Sequence, residues 1–265
     1  MANVDNIFSD ISKVFKVWLE TPLGQAFYTR EQQIIELLSA RAFSHYSVHL
    51  GPCEPFWSEK LANAQYSLSL QPDLCLCDLD LRYRQVIFHP DQLPLATDSI
   101  DLVIVRHGLD ISDNPHQLLR EVARVVIPGG RIIIAGFNPL SSWGVWRLLR
   151  FKIGVPWCNR FLALGRLTDW LNLLNFQKLE CYPFFFHLPF NRAACWKSVN
   201  FMEQFCSQQG IQMGAGYVLS AVKLETRVNL LKPRWQSVVA KSRFSLASAN
   251  TASDYEPQQN NKSEV

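Results

Sequence analysis

"HPDQLPLATDSIDLVIVRHGLDISDNPHQLLREVARVVIPGGRIIIAGFNP", residues 89–139, decides the fold. Within it "IDLVIVR" is a short apolar run of the kind that a parallel sheet buries on both faces. Asn114 and Pro115 then open a helix, as a candidate cap followed by proline at the first helical position. Leu118, Leu119, Val122, Val125 and Val126 fall on one face of that helix, and Arg120, Glu121 and Arg124 on the other. "IPGG" stops the helix and "RIIIAGF" forms the next strand.

Working outward, the same alternation continues. Upstream, "YSVHL", "YSLSL" and "RQVIF" read as strands, with a short helix through "SEKLANA". Downstream, a helix is expected over Asp169–Leu174. "FQKLECYPFFF" and "GYVLSAVKLE" are two closing strands, with a helix around "SVNFMEQFCSQQG" between them. The fold class is therefore α/β: a doubly wound, mostly parallel, seven-stranded Rossmann-like sheet. Ligands of such sheets sit beyond the carboxyl ends of the strands. Residues 3–20 show helical spacing, Pro22 and Gly24 break that helix, and a second follows with Ile34, Ile35, Leu37 and Leu38 as its apolar face. The expected organisation is a helical cap over residues 1–40 and a main domain over 41–235. A polar, low-complexity, disordered tail covers 236–265.

The chain is 48% hydrophobic and 18% charged, an ordinary globular balance, and its net charge of +3 gives no argument for nucleic acid as a partner. Seven cysteines, an odd number, read as reduced thiols in a cytoplasmic protein. Cys75 and Cys77 form a CxC that no CxxC accompanies, so they read as packing cysteines; no metal site is expected. The N-terminus carries acids and no continuous apolar run, so no signal peptide is expected. No 18-residue uncharged apolar stretch appears.

Residues 89–139 resemble class I S-adenosylmethionine-dependent methyltransferases of the type 11 group. The resemblance is carried by Leu93-Pro94, Ser99-Ile100-Asp101, Leu119-Arg120-Glu121, Arg124-Val125 and Pro128-Gly129-Gly130, in order, at spacing and in strand–helix context. The flanks "WLETPLGQAF", "GFNPLSSWGVWRLLR" and "LPFNRAACWKSVNFMEQF" resemble a proteobacterial subgroup of the same family. The implied cofactor is S-adenosylmethionine, and the implied reaction is methyl transfer to a small or lipid-like acceptor.

Laid onto this chain, the family's binding positions fall unevenly. The glycine loop after the first strand becomes Gly51, Cys53 and Pro55, with Glu54 between them. Gly51 keeps the turn, whereas Pro52 and Pro55 delete N–H donors. The loop is either a cofactor contact or a structural turn. The ribose-binding acid maps to Gln71, with Asp73 as substitute or turn residue and Asp78 and Asp80 as alternatives. The adenine-reading positions hold His89 and Pro90, with Asp91 as substitute or solvated loop residue. Arg106, after an apolar strand, is a clamp for a carboxylate or a surface ion pair with Asp110 or Asp113. His107 is the candidate catalytic base, or a structural histidine.

Residues 138–168 hold five basic residues, three tryptophans and no acid, where the family builds its substrate lid. They read as a basic, Trp-rich insertion with peripheral membrane contact, or as core tryptophans beneath solvated arginines. The altered loop positions keep a second reading open: a catalytically inactive methyltransferase fold acting as a binding or scaffold module. A dinucleotide-dependent dehydrogenase is disfavoured, because GxGxxG is absent.

Overall fold

The computed structural model describes residues 14–51, 64–71, 84–87, 92–149, 161–186 and 213–224. The elements in chain order are α1 (residues 14–19), α2 (Pro22–Ala40), β1 (Ser44–Leu50), β2 (Ala64–Gln71), β3 (Arg84–Ile87), β4 (Ile100–Arg106), α3 (Gly108–Ile111), α4 (Pro115–Val125), β5 (Val126–Phe137), α5 (Ser142–Leu149), α6 (Leu164–Leu173), β6 (Phe176–Phe184) and β7 (Gly216–Lys223). The strands form one seven-stranded sheet in the order β3-β2-β1-β4-β5-β7-β6. The pairs from β3 to β5 are parallel, and β7 runs antiparallel to both β5 and β6. This is the expected mostly parallel, doubly wound sheet.

The apolar run of β4 is buried on both faces. Val103 and Val105 join a core with Val48, Leu50, Ile132 and Ile134 under α4 and α6. Leu102 and Ile104 join the opposite core with Ile133, Phe137, Trp143 and the aromatic residues of α1 and α2. Alternate side chains point to opposite faces, so both phases of the strand must be apolar.

Several local expectations change. The first helix ends at residue 19, before Pro22, as expected; Pro22 and Gly24 in addition form the first turn of α2, capped by Thr21, whose hydroxyl accepts the Gly24 N–H at 3.1 Å. Gly24 has a packing reason, since a Cβ there would stand 2.2 Å from the Trp18 carbonyl oxygen. Leu37 faces outward at 46% exposure, leaving Ile34, Ile35 and Leu38 as the buried stripe of α2. Helix α6 starts five residues before Asp169, at Leu164. Asn114 occupies the cap position of α4 without a side-chain capping bond. Pro183 is tolerated in β6 because that strand is at the sheet edge.

Within residues 138–168, a helix the sequence pattern does not announce forms over Ser142–Leu149. Its Trp143 is fully buried, 5.4 Å from the Phe27 ring and 6.1 Å from the Trp18 ring. That tryptophan is core and unavailable to a membrane surface. The helices expected at "SEKLANA" and "SVNFMEQFCSQQG" and the tail 236–265 lie outside the described residues. Among the described residues, no helix is long and apolar enough to cross a membrane.

Candidate functional site

Four strands end on one level. Leu50 of β1 aligns with Leu70 of β2 and with Val105 of β4, and Gln71 aligns with Ile87 of β3. The chain builds outward from β1 to β3, then crosses back to place β4 on the other side of β1. That reversal opens a crevice at the carboxyl ends of β1 and β4. Gly51 stands on one lip and is buried. Gly108 stands on the other, where a Cβ would lie 3.2 Å from Val105 Cγ1 and 3.9 Å from the Leu50 carbonyl oxygen. Of the residues expected at the site, Gly51, the backbone of Gln71, Arg106 and His107 come to this edge. Cys53, Glu54, Asp73, Asp78, Asp80, His89, Pro90 and Asp91 lie outside the described residues.

The signature residues of 89–139 hold this edge in place. Asp101 Oδ2 accepts the backbone N–H groups of His45 and Tyr46, at 3.0 and 2.8 Å, and so fixes the start of β1 against β4. Glu121 Oε2 accepts the Leu93 N–H at 3.1 Å. Arg124 donates to the carbonyls of Leu93 and Leu95, at 3.1 and 2.9 Å, and pairs with Glu121 at 2.8 Å. The helix thereby staples the segment leading from β3 into β4. Pro128-Gly129-Gly130 forms a bulge that shifts the β4–β5 register between Ile100 and Leu102. Gly129 has φ +81°, and a Cβ on Gly130 would press on the Ile127 carbonyl oxygen at 2.9 Å. The signature is thus a set of structural ties.

Beside the crevice lies a buried ionic cluster. Arg106 is only 4% exposed. Its Nε and Nη2 donate to Glu31 Oε2 at 2.9 and 2.8 Å, and its Nη1 donates to Gln32 Oε1 at 3.0 Å. The Tyr28 ring centroid is 3.8 Å from the guanidinium carbon. The partner expected for Arg106 was an outside carboxylate or a surface aspartate; α2 supplies Glu31 from the interior instead. A cation leaving a buried strand needs such a partner, and with three N–H groups committed the guanidinium is not placed to clamp a ligand. Glu31 is a member of this buried cluster that the sequence reading missed. Its signal was present: it lies four residues after Phe27 on the stripe that continues through Ile34, Ile35 and Leu38.

His107 follows in the left-handed region, with φ 52°. Its N–H donates to the Ala135 carbonyl at 2.9 Å. Its Nδ1 is 2.9 Å from Asp110 Oδ2, which also accepts the Phe137 N–H at 3.0 Å. Its Nε2 is 3.2 Å from Glu31 Oε1, an ion-pair distance without hydrogen-bond alignment. Burial disfavours the imidazolium, but the Glu31 charge and the hydrogen bond to Asp110 outweigh it and raise the His107 pKa to about 9. Burial likewise works against the Glu31 carboxylate, and the Arg106 and His107 charges overcome it, lowering its pKa to about 2. Asp110 is pushed up, burial outweighing its bond to His107. Both ring nitrogens of His107 face carboxylates, so the expected neutral base is replaced by a held imidazolium. Phe15, Phe27 and Phe137 pack around this ring at 5.2, 6.0 and 4.3 Å.

A cleft of about 930 Å³ opens between Leu109, the start of α4, Phe161-Leu162 and α6. Phe161 stacks on Phe137 at 5.2 Å, so the cleft and the ionic cluster share an aromatic wall. Among the described residues, no cluster of His, Cys, Asp and Glu could hold a metal ion.

Residues 57–134 match the family model described as "Methyltransferase domain", of the type 11 group. A stretch of 109 residues, 41% of this chain, is 40% identical to the Escherichia coli K12 protein YafS, itself uncharacterized, and spans 45% of that relative's length. Among solved structures, an S-adenosylmethionine-dependent methyltransferase from Thermotoga maritima superposes with TM-score 0.64 at 16% identity, over 83% of this chain and 100% of that one. The N-methyltransferase NodS of Bradyrhizobium japonicum, solved with S-adenosylhomocysteine, superposes with TM-score 0.55 at 12% identity, over 82% of this chain and 98% of its own. The fold is that of the class I S-adenosylmethionine-dependent methyltransferases.

Proposed function

We propose that the protein is an S-adenosylmethionine-dependent methyltransferase acting on a small acceptor. The observation that carries this reading is the reversal of strand order between β1 and β4, with Gly51 directly after β1 and Gly108 packed close to the Leu50 carbonyl at the end of β1. The described edge supports this reading: Gly51 follows β1 with no side chain to enter the crevice, and the backbone of Gln71 ends β2 beside the end of β3. Cys53, Glu54, Asp73, His89 and Asp91 follow these strand ends in sequence and are proposed to complete the contacts.

The cofactor supplies a methyl group on a sulfonium that leaves as a neutral thioether. Transfer of that methyl to an acceptor's lone pair would need no metal and, for an acceptor that carries no proton, no base. The chain's own contribution is alignment and exclusion of water. Leu109, Phe161 and Leu162 give the cleft beside the crevice an apolar part. Glu31, Arg106, His107 and Asp110 hold the β4 end rigid and fix two positive charges beneath it. His107 keeps its proton and does not accept one from the acceptor. The non-catalytic reading gains no support from the described residues.

The test is incubation of the full chain with methyl-deuterated S-adenosylmethionine and a bacterial small-molecule extract, followed by mass spectrometry. A labelled product appearing together with S-adenosylhomocysteine supports the reading. Neither appearing, with the folded protein present, contradicts it.

A further inference from the structure

The cleft between α4 and α6 carries a charge pattern that the methyltransferase reading does not require. Arg120 of α4 and Arg166 of α6 both line it, and both are exposed, with no carboxylate partner among the described residues. Other described arginines are paired: Arg41 with Glu180, Arg106 with Glu31 and Arg124 with Glu121. Asp113 is the acid lining the cleft, and it is engaged in contacts of its own. Two guanidiniums from separate elements therefore line one cavity, with no carboxylate partner among the described residues.

Part of the remaining wall is aromatic. Trp170 lies against His116, ring centroids 3.5 Å apart and tilted by 43°, and Phe161 continues the wall towards Phe137. Planar walls take a planar body, and paired guanidiniums take a carboxylate or phosphate through fork-like hydrogen bonds.

We propose that this cleft is the acceptor site, and that it selects a small planar acceptor bearing a carboxylate or phosphate, held by Arg120 and Arg166 against Trp170 and Phe161. The proposal rests on the methyltransferase reading for the word acceptor. As a binding site it stands on the cleft alone.

The experiment measures binding of 4-hydroxybenzoate, phenyl phosphate and the neutral 4-hydroxybenzamide to the full chain by ligand-observed NMR. It is repeated with Arg120→Gln, Arg166→Gln and the double variant, and S-adenosylhomocysteine is titrated in parallel. The expected result is that at least one anionic probe binds, that the amide binds at least about tenfold more weakly, and that the double variant loses about tenfold or more in affinity for the anion. Binding of the carboxylate but not the phosphate, or the reverse, identifies the anion. S-adenosylhomocysteine affinity is expected to be unchanged in the double variant, which also shows that the variant is folded. If neither anion binds, or if the double variant binds them as tightly as the parent, the proposal is overturned whatever the cofactor does. If the anions bind in an arginine-dependent way while S-adenosylhomocysteine does not bind, the site stands and the methyltransferase reading falls.

Discussion

Arg106 and Glu31 meet at 2.8 Å although 75 residues separate them in the chain, and both are almost completely buried. This pair joins the N-terminal helix α2 to the carboxyl end of β4. The N-terminal segment is therefore part of the site's foundation. Replacing Glu31 leaves two cations, Arg106 and His107, in the interior without their shared carboxylate. Glu31→Gln is expected to cost about 3–5 kcal/mol of stability, measured by urea unfolding. A cost below about 1 kcal/mol would show that the cluster is not held as described.

The same cluster sets a pH dependence. Glu31 has a lowered pKa, so its contribution is present above the ordinary carboxylate range and is lost as pH falls towards about 2. His107 has a raised pKa, so its contribution is full below its ordinary value near 6.5 and is lost as pH rises through about 9. Asp110 is raised, so its ionisation in the folded state works against stability from weakly acidic pH upward. The expected melting temperature falls between pH 6.5 and 9. His107→Gln is expected to melt lower at pH 6 and to show a flatter decline over that interval; thermal melts across the range check both.

Arg124 holds the segment entering β4 through the Leu93 and Leu95 carbonyls. Arg124→Met is expected to cost about 1–3 kcal/mol through the lost charge-assisted bonds and the Glu121 carboxylate left without its cation. The checking measurement is amide hydrogen exchange over residues 92–99, which is expected to quicken in the variant while exchange in β5 stays slow.

Gly129 is open to solvent but sits at φ +81°, so the obstacle to a side chain there is the backbone and not space. Gly129→Ala is expected to destabilise by about 1–2 kcal/mol, and Gly129→Asn by less, because asparagine tolerates the left-handed region. Equal melting of the parent and the alanine variant would contradict the bulge geometry.

The sheet was legible because its strands announce themselves: "IDLVIVR" and "RIIIAGF" are apolar in both phases, which a two-sided α/β sheet demands and few other folds do. The ends of the elements were less legible. Pro22 reads as a breaker in isolation, yet at the first turn of α2 it is a starter, since the N–H it lacks would have had no helical partner. The site was legible as a place and not as a set of contacts. Arg106 and His107 could be put at the edge from their position after β4, but their partner Glu31 comes from a helix whose packing no local pattern specifies. A glutamate on an apolar stripe was the available clue, and its meaning depends on which cation the fold brings opposite it. The signature residues Asp101, Glu121 and Arg124 identified the fold because each ties backbone to backbone, and for the same reason they say little about the acceptor.

The central claim is that the crevice at Gly51 holds the cofactor, and it is tested most directly by calorimetric titration of the full chain with S-adenosylhomocysteine, beside Gly51→Val. The account predicts one site per chain in the parent and an affinity at least about tenfold weaker in the variant, whose side chain would fill the crevice. No detectable heat in the parent up to millimolar ligand, or equal binding by the folded variant, would contradict it.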